Sequence, residues 1–420
     1  MSRDEHFRRT WPGRVLSSAA VVVTVVVSTV TVLTIVLVSA AAGGAGSAVL
    51  SGLNAVGPAG GAIAEADSPG AESPGAETET TEPLWVITDP YGELDWAAYG
   101  QYKANLHTHT TTSDGTMNPH VVVDTYQALG YAVLAITDHD EVTYPWTAFS
   151  EMRASSLSSR RMFTVAHRMP KSLEFEDRDP DRMGMVAIQG NELSMHHHMG
   201  SYFSDYRGTA DLEASLAATA ANGGLAMLFH PGRYNRPVEW YVELYRRYDH
   251  LFGLEVYNQG DRYPGDRRLW DAILDRTMPE RPVWGYSNDD AHDLSHIGLN
   301  WNTLILPELS VEAVRRAMER GHSYFVYAPL GPGGPAPPVL EAVTVDDRNA
   351  TLEVTARGHT QVDWVSSGAV VASGERVALD ELEGLGAYIR AELRGAGGTV
   401  VGTQPFGLLP SGPAAASLPR

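Results

Sequence analysis

The stretch Tyr131-Ala132-Val133-Leu134-Ala135-Ile136-Thr137-Asp138-His139-Asp140 decides how this chain is read. Residues 131–137 are an apolar run of strand length, and Asp138, His139 and Asp140 follow at once. Just upstream, Asn118-Pro119 opens a helix, with Asn as the N-cap and Pro in the first helical position. Val122, Tyr126 and Leu129 recur at helical spacing, and Gly130 ends the helix. Before that helix, residues 102–108 read as a short strand running into His107-Thr108-His109. The unit is strand, helix, strand, with polar residues where each strand ends.

The pattern recurs downstream. Residues 185–189 run into Gly190-Asn191-Glu192, and 225–229 into His230-Pro231-Gly232-Arg233. Residues 252–257 form another apolar run, and 283–286 lead to Asn288-Asp289-Asp290-Ala291-His292. A helix is expected over 212–221, stopped at Asn222-Gly223-Gly224. This alternation predicts an α/β domain on a parallel sheet closed as a barrel. In such barrels the chemistry lies at the carboxyl ends of the strands. Residues 148–183 read as a polar, irregular insertion.

Two histidines spaced i, i+2 on a strand point the same way, so His107 and His109 can chelate one ion. Asp114 lies in the turn Ser113-Asp114-Gly115 beside them. His139, Glu192, His230, Asp290 and His292 follow further strands, and His196-His197-His198 comes just after Glu192. A single buried histidine is ordinarily a satisfied core residue. Strand end after strand end carrying His, Asp or Glu is better explained by metal ions. Nitrogen and hard oxygen donors suit Zn, Mn or Fe, and this many donors call for two or three ions with a bridging carboxylate.

Leu106-His107-Thr108-His109-Thr110, Ser113-Asp114-Gly115, residues 135–140, Gly190-Asn191-Glu192, residues 229–233 and Asp290-Ala291-His292 together resemble the polymerase and histidinol phosphatase (PHP) family over about residues 103–327. The resemblance implies a distorted (β/α)7 barrel with a trinuclear site that hydrolyses phosphoesters. It places one ion on His107, His109, Glu192 and Asp290. A second falls on Glu192, His230 and a histidine of the 196–198 run, His198 fitting best because apolar Met199 follows it, with His197 close behind. A third falls on Asp114, His139 and His292. Adjacent ions of this kind activate a bridging water and clamp the attacking and leaving oxygens. Arg233 resembles the family's phosphate-binding arginine, its planar fork suited to bidentate contact. Asp138 is expected to orient a histidine ligand. His120, His167, His250 and His296 match no motif and read as structural or surface residues.

The 31 basic and 51 acidic residues give a formal charge of -20, which disfavours a nucleic-acid-binding surface. Bound cations can still invert the field inside a pocket, so a small phosphorylated substrate fits. There is no cysteine, so thiolate ligands and disulfides are excluded, and the only lysines are Lys103 and Lys171. Residues 1–14 form a basic tail carrying Arg3, Arg8, Arg9 and Arg14. Residues 15–42 are almost entirely apolar or small and exceed the ~20 residues that span a bilayer. This predicts an N-terminal transmembrane helix with the basic tail in the cytoplasm and the rest outside. Residues 38–43 also offer small residues for a signal peptidase, which would make the protein secreted. Residues 43–90 read as a disordered linker, in which Ser-Pro-Gly-Ala-Glu occurs twice in succession at 68–77. The catalytic domain is expected over 91–332. Short alternating runs over 335–410 predict a small all-β sandwich that either binds a polymer or caps the barrel.

Three functions compete. The first is a phosphatase or phosphodiesterase. The second is metal-dependent hydrolysis of a non-phosphate ester or amide, and the third a non-catalytic cell-surface binding module. The full donor set disfavours the third, and Arg233 favours the first over the second.

Overall fold

A computed structural model describes residues 85–152, 175–208 and 210–409. The expected basic tail, the transmembrane segment, most of the linker and the middle of the 148–183 insertion lie outside the described residues. Among the described residues no helix is long and apolar enough to cross a membrane.

Strand β1 (Val86–Thr88) comes first. It is followed by β2 (Gly100–Asn105), helix α1 (Pro119–Ala128), β3 (Val133–Ala135), the short helix α2 (Pro180–Met183) and β4 (Val186–Ile188). Asn118 sits at the N-cap of α1 as expected, but its side chain accepts from Thr111 Oγ1 at 3.1 Å and does not cap the helix. Strands β2, β3 and β4 pair in parallel, as the strand–helix–strand reading requires.

A second sheet holds β5 (Gly190–Leu193), β6 (Met199–Tyr202), β7 (Leu225–Leu228), β8 (Leu251–Asn258) and β9 (Trp284–Asn288) in that order. Helix α3 (Leu212–Ala221) precedes β7, α4 (Val238–Arg247) precedes β8, and α5 (Gly265–Thr277) precedes β9. The pairs β7–β8 and β8–β9 are parallel, whereas β6 is antiparallel to both of its neighbours. The all-parallel expectation fails here because residues 194–198 fold the chain back on itself as a hairpin rather than through a helix.

Single bridges from Thr108 to Ala291 and from His139 to Glu192 join the two sheets where their strands end. Leu106, Ala135, Ile188, Met227, Phe229 and Tyr286 fill the space between the sheets. These bridges bring the polar strand ends to one place.

The C-terminal region corrects the expected domain boundary. Strand β10 (Asn300–Leu306) runs antiparallel to β2 and to β11 (Ser323–Tyr327), with α6 (Val311–Arg320) between them. There follow β12 (Val339–Asp346), β13 (Thr351–Arg357), β14 (His359–Ser366), β15 (Ala369–Ser373), β16 (Arg376–Ala378), β17 (Tyr388–Gly395), β18 (Val400–Thr403) and β19 (Phe406–Leu408). The other edge of β11 pairs with β18, so the barrel sheet continues into the C-terminal strands as one sheet of eleven. A separate three-stranded sheet, β12-β13-β16, lays Leu340, Leu352, Val354 and Val377 against Trp364, Ile389 and Leu393 of the large sheet. Two layers form, as in a sandwich, but one belongs to the barrel. Strand β1 pairs with β19, so the ordered fold begins inside the stretch read as linker.

Candidate metal centre

His107 and His109 lie just beyond β2 and are wholly buried. Their Nε2 atoms face each other at 3.1 Å. Glu192 Oε2 lies 3.3 Å from His107 Nε2 and 3.1 Å from His109 Nε2, and Asp290 Oδ1 lies 3.2 and 3.1 Å from the same atoms. Donors ~2.0–2.2 Å from a shared tetrahedral ion would sit ~3.3–3.6 Å apart. Of these four, His107, His109 and Asp290 form a group tight enough to share one ion, whereas Glu192 falls in separate groups with His230 and with His198.

Glu192 stands at the centre. Its Oε1 lies 2.6 Å from His198 Nδ1 and 3.3 Å from His230 Nε2. Its Oε2 lies 3.0 Å from His139 Nδ1, yet that buried nitrogen has no hydrogen-bond partner. The atoms converge without the alignment of a hydrogen bond, as donors to a common cation do. His230 Nδ1 is likewise buried without a partner. On the far side, Asp114 Oδ2 lies 3.4 Å from His139 Nε2 and 3.3 Å from His292 Nε2, while Asp114 Oδ1 lies 3.5 Å from His109 Nδ1. The tight donor groups are thus His109–Asp114–His139–His292, His107–His109–Asp290, His107–Glu192–His230 and His139–Glu192–His198. His198, His230 and Glu192 meet at one carboxylate oxygen, as the resemblance implied, but no tight group holds all three.

Two of these residues have unfavourable backbones. His230 has φ 31° and Asp290 φ 44°, the left-handed region that side chains other than glycine rarely occupy. Such strain persists only where the surroundings over-determine it, and it collects at functional sites.

The structure separates His197 from His198. His197 is outside every donor group; its Nε2 accepts from Arg236 Nε at 3.2 Å, and its ring packs on Tyr234 and Trp240. Asp138 also departs from expectation. Its carboxylate accepts from Thr110 N and Thr110 Oγ1, each at 2.7 Å, and from the hydroxyls of Ser113 and Thr143. It anchors the turn that carries Asp114 and does not bond to a histidine ligand.

That orienting role belongs to Glu255, a residue the sequence motifs do not mark. It is fully buried in β8, its Oε1 lies 2.9 Å from His107 Nδ1, and its Oε2 accepts from His230 N at 2.8 Å. A carboxylate behind a ligating imidazole fixes its tautomer and raises its basicity. The available signal was a glutamate inside an otherwise apolar strand, where an unpaired charge is costly.

Burial opposes a charge on His107, but Asp290, Glu255 and Glu192 outweigh it and push its pKa up to about 10. Burial similarly opposes a charge on His139, yet Glu192 and Asp114 push it up to about 9. Burial would raise Glu192, but His139, His198 and His107 hold it well below the usual carboxylate range. Asp114 and Asp290 are also held low by neighbouring histidines against the effect of burial. The site is a nest of ionised carboxylates and basic imidazoles, a donor set for divalent cations.

The cluster opens into a cavity of about 230 Å3, whose wall also carries Arg233, Arg262 and Tyr263. Among the described residues neither arginine has a carboxylate partner; Arg262 Nη1 donates to Gln259 Oε1 at 2.9 Å. Arg262 gave no sequence signal, since it follows an apolar strand outside any motif.

No family model matches the chain. The 5'-3' exoribonuclease Rnm of Escherichia coli (strain K12) is 22% identical over 252 residues, 45% of this chain and 84% of that protein. A solved two-domain protein containing a predicted PHP-like metal-dependent phosphoesterase, from Bacteroides vulgatus, superposes with a TM-score of 0.43 at 15% identity, over 74% of this chain and 94% of that one. An amidohydrolase from Chromobacterium violaceum gives 0.34 at 18% identity, over 51% of this chain and 95% of that one. The ordered motifs and the buried His/Asp/Glu cluster resemble those of a PHP-like metal-dependent phosphoesterase. In sequence the chain is distantly similar to Rnm.

Proposed function

We propose that this protein hydrolyses a phosphoester bond of a small phosphorylated substrate, using two to three divalent ions of Mn, Zn or Fe, in a domain held outside the cytoplasm by its N-terminal segment. The observation that carries the reading is one cavity lined by both the His/Asp/Glu cluster and two arginines free of carboxylate partners among the described residues. Ions on these donors would supply an acidic water and a clamp for phosphoryl oxygens. The protein's own share is positional. Glu192 presents one carboxylate oxygen to each side of the cluster, and Glu255 fixes His107 and the His230 backbone. Arg233 and Arg262 supply planar cationic donors for non-bridging oxygens.

The arginines favour a phosphoester over a neutral ester or amide. The charge of -20 argues against a long polyanion as substrate. Rnm's name makes a nucleic-acid end the second class to assay. A panel of phosphomonoesters, phosphodiesters and short oligonucleotides with Mn2+ or Zn2+ tests the reading; no phosphate release from any member removes it. Within the panel, Arg233→Lys keeps the charge but loses the fork. Losing such a charge-assisted bond should lower kcat/KM roughly ten- to a hundredfold with metal content unchanged.

The extracytoplasmic location rests on the apolar segment 15–42 and the arginines before it. Protease added to intact cells is expected to release the catalytic domain. Full protection, with access controls, would reverse the orientation.

A further inference from the structure

Arg262 sits in the loop after β8, and nothing in its own sequence neighbourhood fixes a long cationic side chain on a cavity wall. What fixes it is the start of α5. Arg267 grips Asp261 through two parallel bonds, Nη1–Oδ1 at 2.7 Å and Nη2–Oδ2 at 3.0 Å. Its guanidinium also lies 4.2 Å from the Tyr257 ring centroid, so the residue bridges strand, loop and helix. The loop is held from within as well. Arg262 N donates to Asn258 O, and Gln259 links Arg262 Nη1 to the backbone carbonyl of Asp290 at 3.1 Å. A fork-to-fork arginine–carboxylate pair fixes direction as well as distance. Arg267 itself does not line the cavity.

The next residue back does the same for the other arginine. Asp266 Oδ1 accepts from Gly232 N at 2.6 Å, and a Cβ on Gly232 would come within 2.4 Å of that oxygen. The first turn of α5 is therefore tied to both arginine-bearing segments. The following turns are tied to the C-terminal sheet: Asp271 Oδ1 lies 3.0 Å from Arg390 Nη2 and accepts from Tyr388 at 2.7 Å, and Asp275 accepts from Ser367 at 2.8 Å. The C-terminal strands thus brace the helix on which both arginine-bearing segments are hung.

We propose that Arg267 is a positioning residue, which through Asp261 holds Arg262 in the cavity wall as a second anion-binding group that works together with Arg233. The inference rests on the phosphoester reading above. It also gives the C-terminal region a role, which is to set the spacing of the cationic wall from behind. Substrate binding then depends on a residue that never touches substrate.

The test is a double-mutant cycle on the full chain loaded with Mn2+, using p-nitrophenyl phosphate and bis(p-nitrophenyl) phosphate as probes and inorganic phosphate as competitor. Arg262→Ala and Arg267→Gln are each expected to raise KM and the phosphate Ki roughly tenfold, the scale of one charge-assisted bond. kcat should change less than KM, and metal content should not change. The decisive expectation is that Arg262→Ala/Arg267→Gln is no worse than either single variant, because both remove the same contact. Should Arg267→Gln fold poorly, Asp261→Asn loosens the same grip from the other side and should show the same pattern. A purely structural Arg267 would lower thermal stability while leaving KM and Ki near wild type, and that result overturns the proposal. So does multiplication of the two single effects in the double variant. Wild-type protein that hydrolyses neither probe and is not competed by phosphate overturns the phosphoester reading itself, a failure distinct from the other two.

Discussion

Glu255 joins two ligands that come from different strands. One oxygen faces His107 Nδ1 and the other accepts from His230 N, so a single buried carboxylate sets an imidazole and a strained backbone together. Glu255→Gln keeps the size and one acceptor but removes the charge that makes His107 a better donor. Loss of such a partner typically costs 10–100-fold in metal affinity or activity. Metal titration of the apo-protein followed by activity is expected to show that loss with an unchanged circular dichroism spectrum; wild-type affinity would remove Glu255 from the site. Most donors were legible at this scale because each ends an apolar run, where a polar residue has little reason to be except function. Glu255 was not, since it lies inside the run of 252–257, where apolar neighbours surround it. His197 and His198 could not be told apart by spacing. What separates them is the packing of the His197 ring, tilted, against Tyr234 and Trp240, a contact between segments that only the fold brings together.

At the scale of an element, α5 carries a pH dependence. Burial, aided by the nearby Glu255 charge, pushes the Asp266 carboxyl up to about 8 despite the bond from Gly232 N. In an unfolded chain the group titrates near ~3.9. Between these values the folded protein holds a proton that the unfolded chain has released. Stability from this group is therefore full at acid pH and is lost as pH rises from about 4 towards 8, by up to ~1.4 kcal/mol per pH unit. Asp266→Asn retains an acceptor for Gly232 N and removes the titration. Denaturant melts of the metal-loaded protein at pH 6 and 8 are expected to show wild type losing stability on the rise and the variant losing less. Equal slopes would contradict the burial assignment. The helices α1 and α3 were legible because their apolar spacing and stop residues are local. The reversed direction of β6 was not, because a hairpin through 194–198 leaves no turn signature in a histidine-rich stretch.

For the whole molecule, the described residues make one compact unit. The composition change near residue 335 suggested a boundary, but the pairing of β11 with β18 crosses it. Sequence marks where character changes and is silent about which edges meet. The core shared by Ile305, Tyr324 and Val326 with Trp364 and Leu393 makes the two parts interdependent. A chain ending at residue 335 is expected to be insoluble or to lack a cooperative melt, since it exposes both that core and a bare strand edge. A fragment melting within about 5 °C of the full chain would show the C-terminal strands to be dispensable.

The central claim is that the cluster hydrolyses phosphoesters with metal ions. The direct measurement is phosphate release by chelator-stripped full-length protein as Mn2+ is titrated in, beside the Asp290→Asn variant. The account predicts that release appears with the metal, saturates at two to three ions per chain, and is absent from the variant. Release that is independent of added metal, or unchanged in Asp290→Asn, would contradict it.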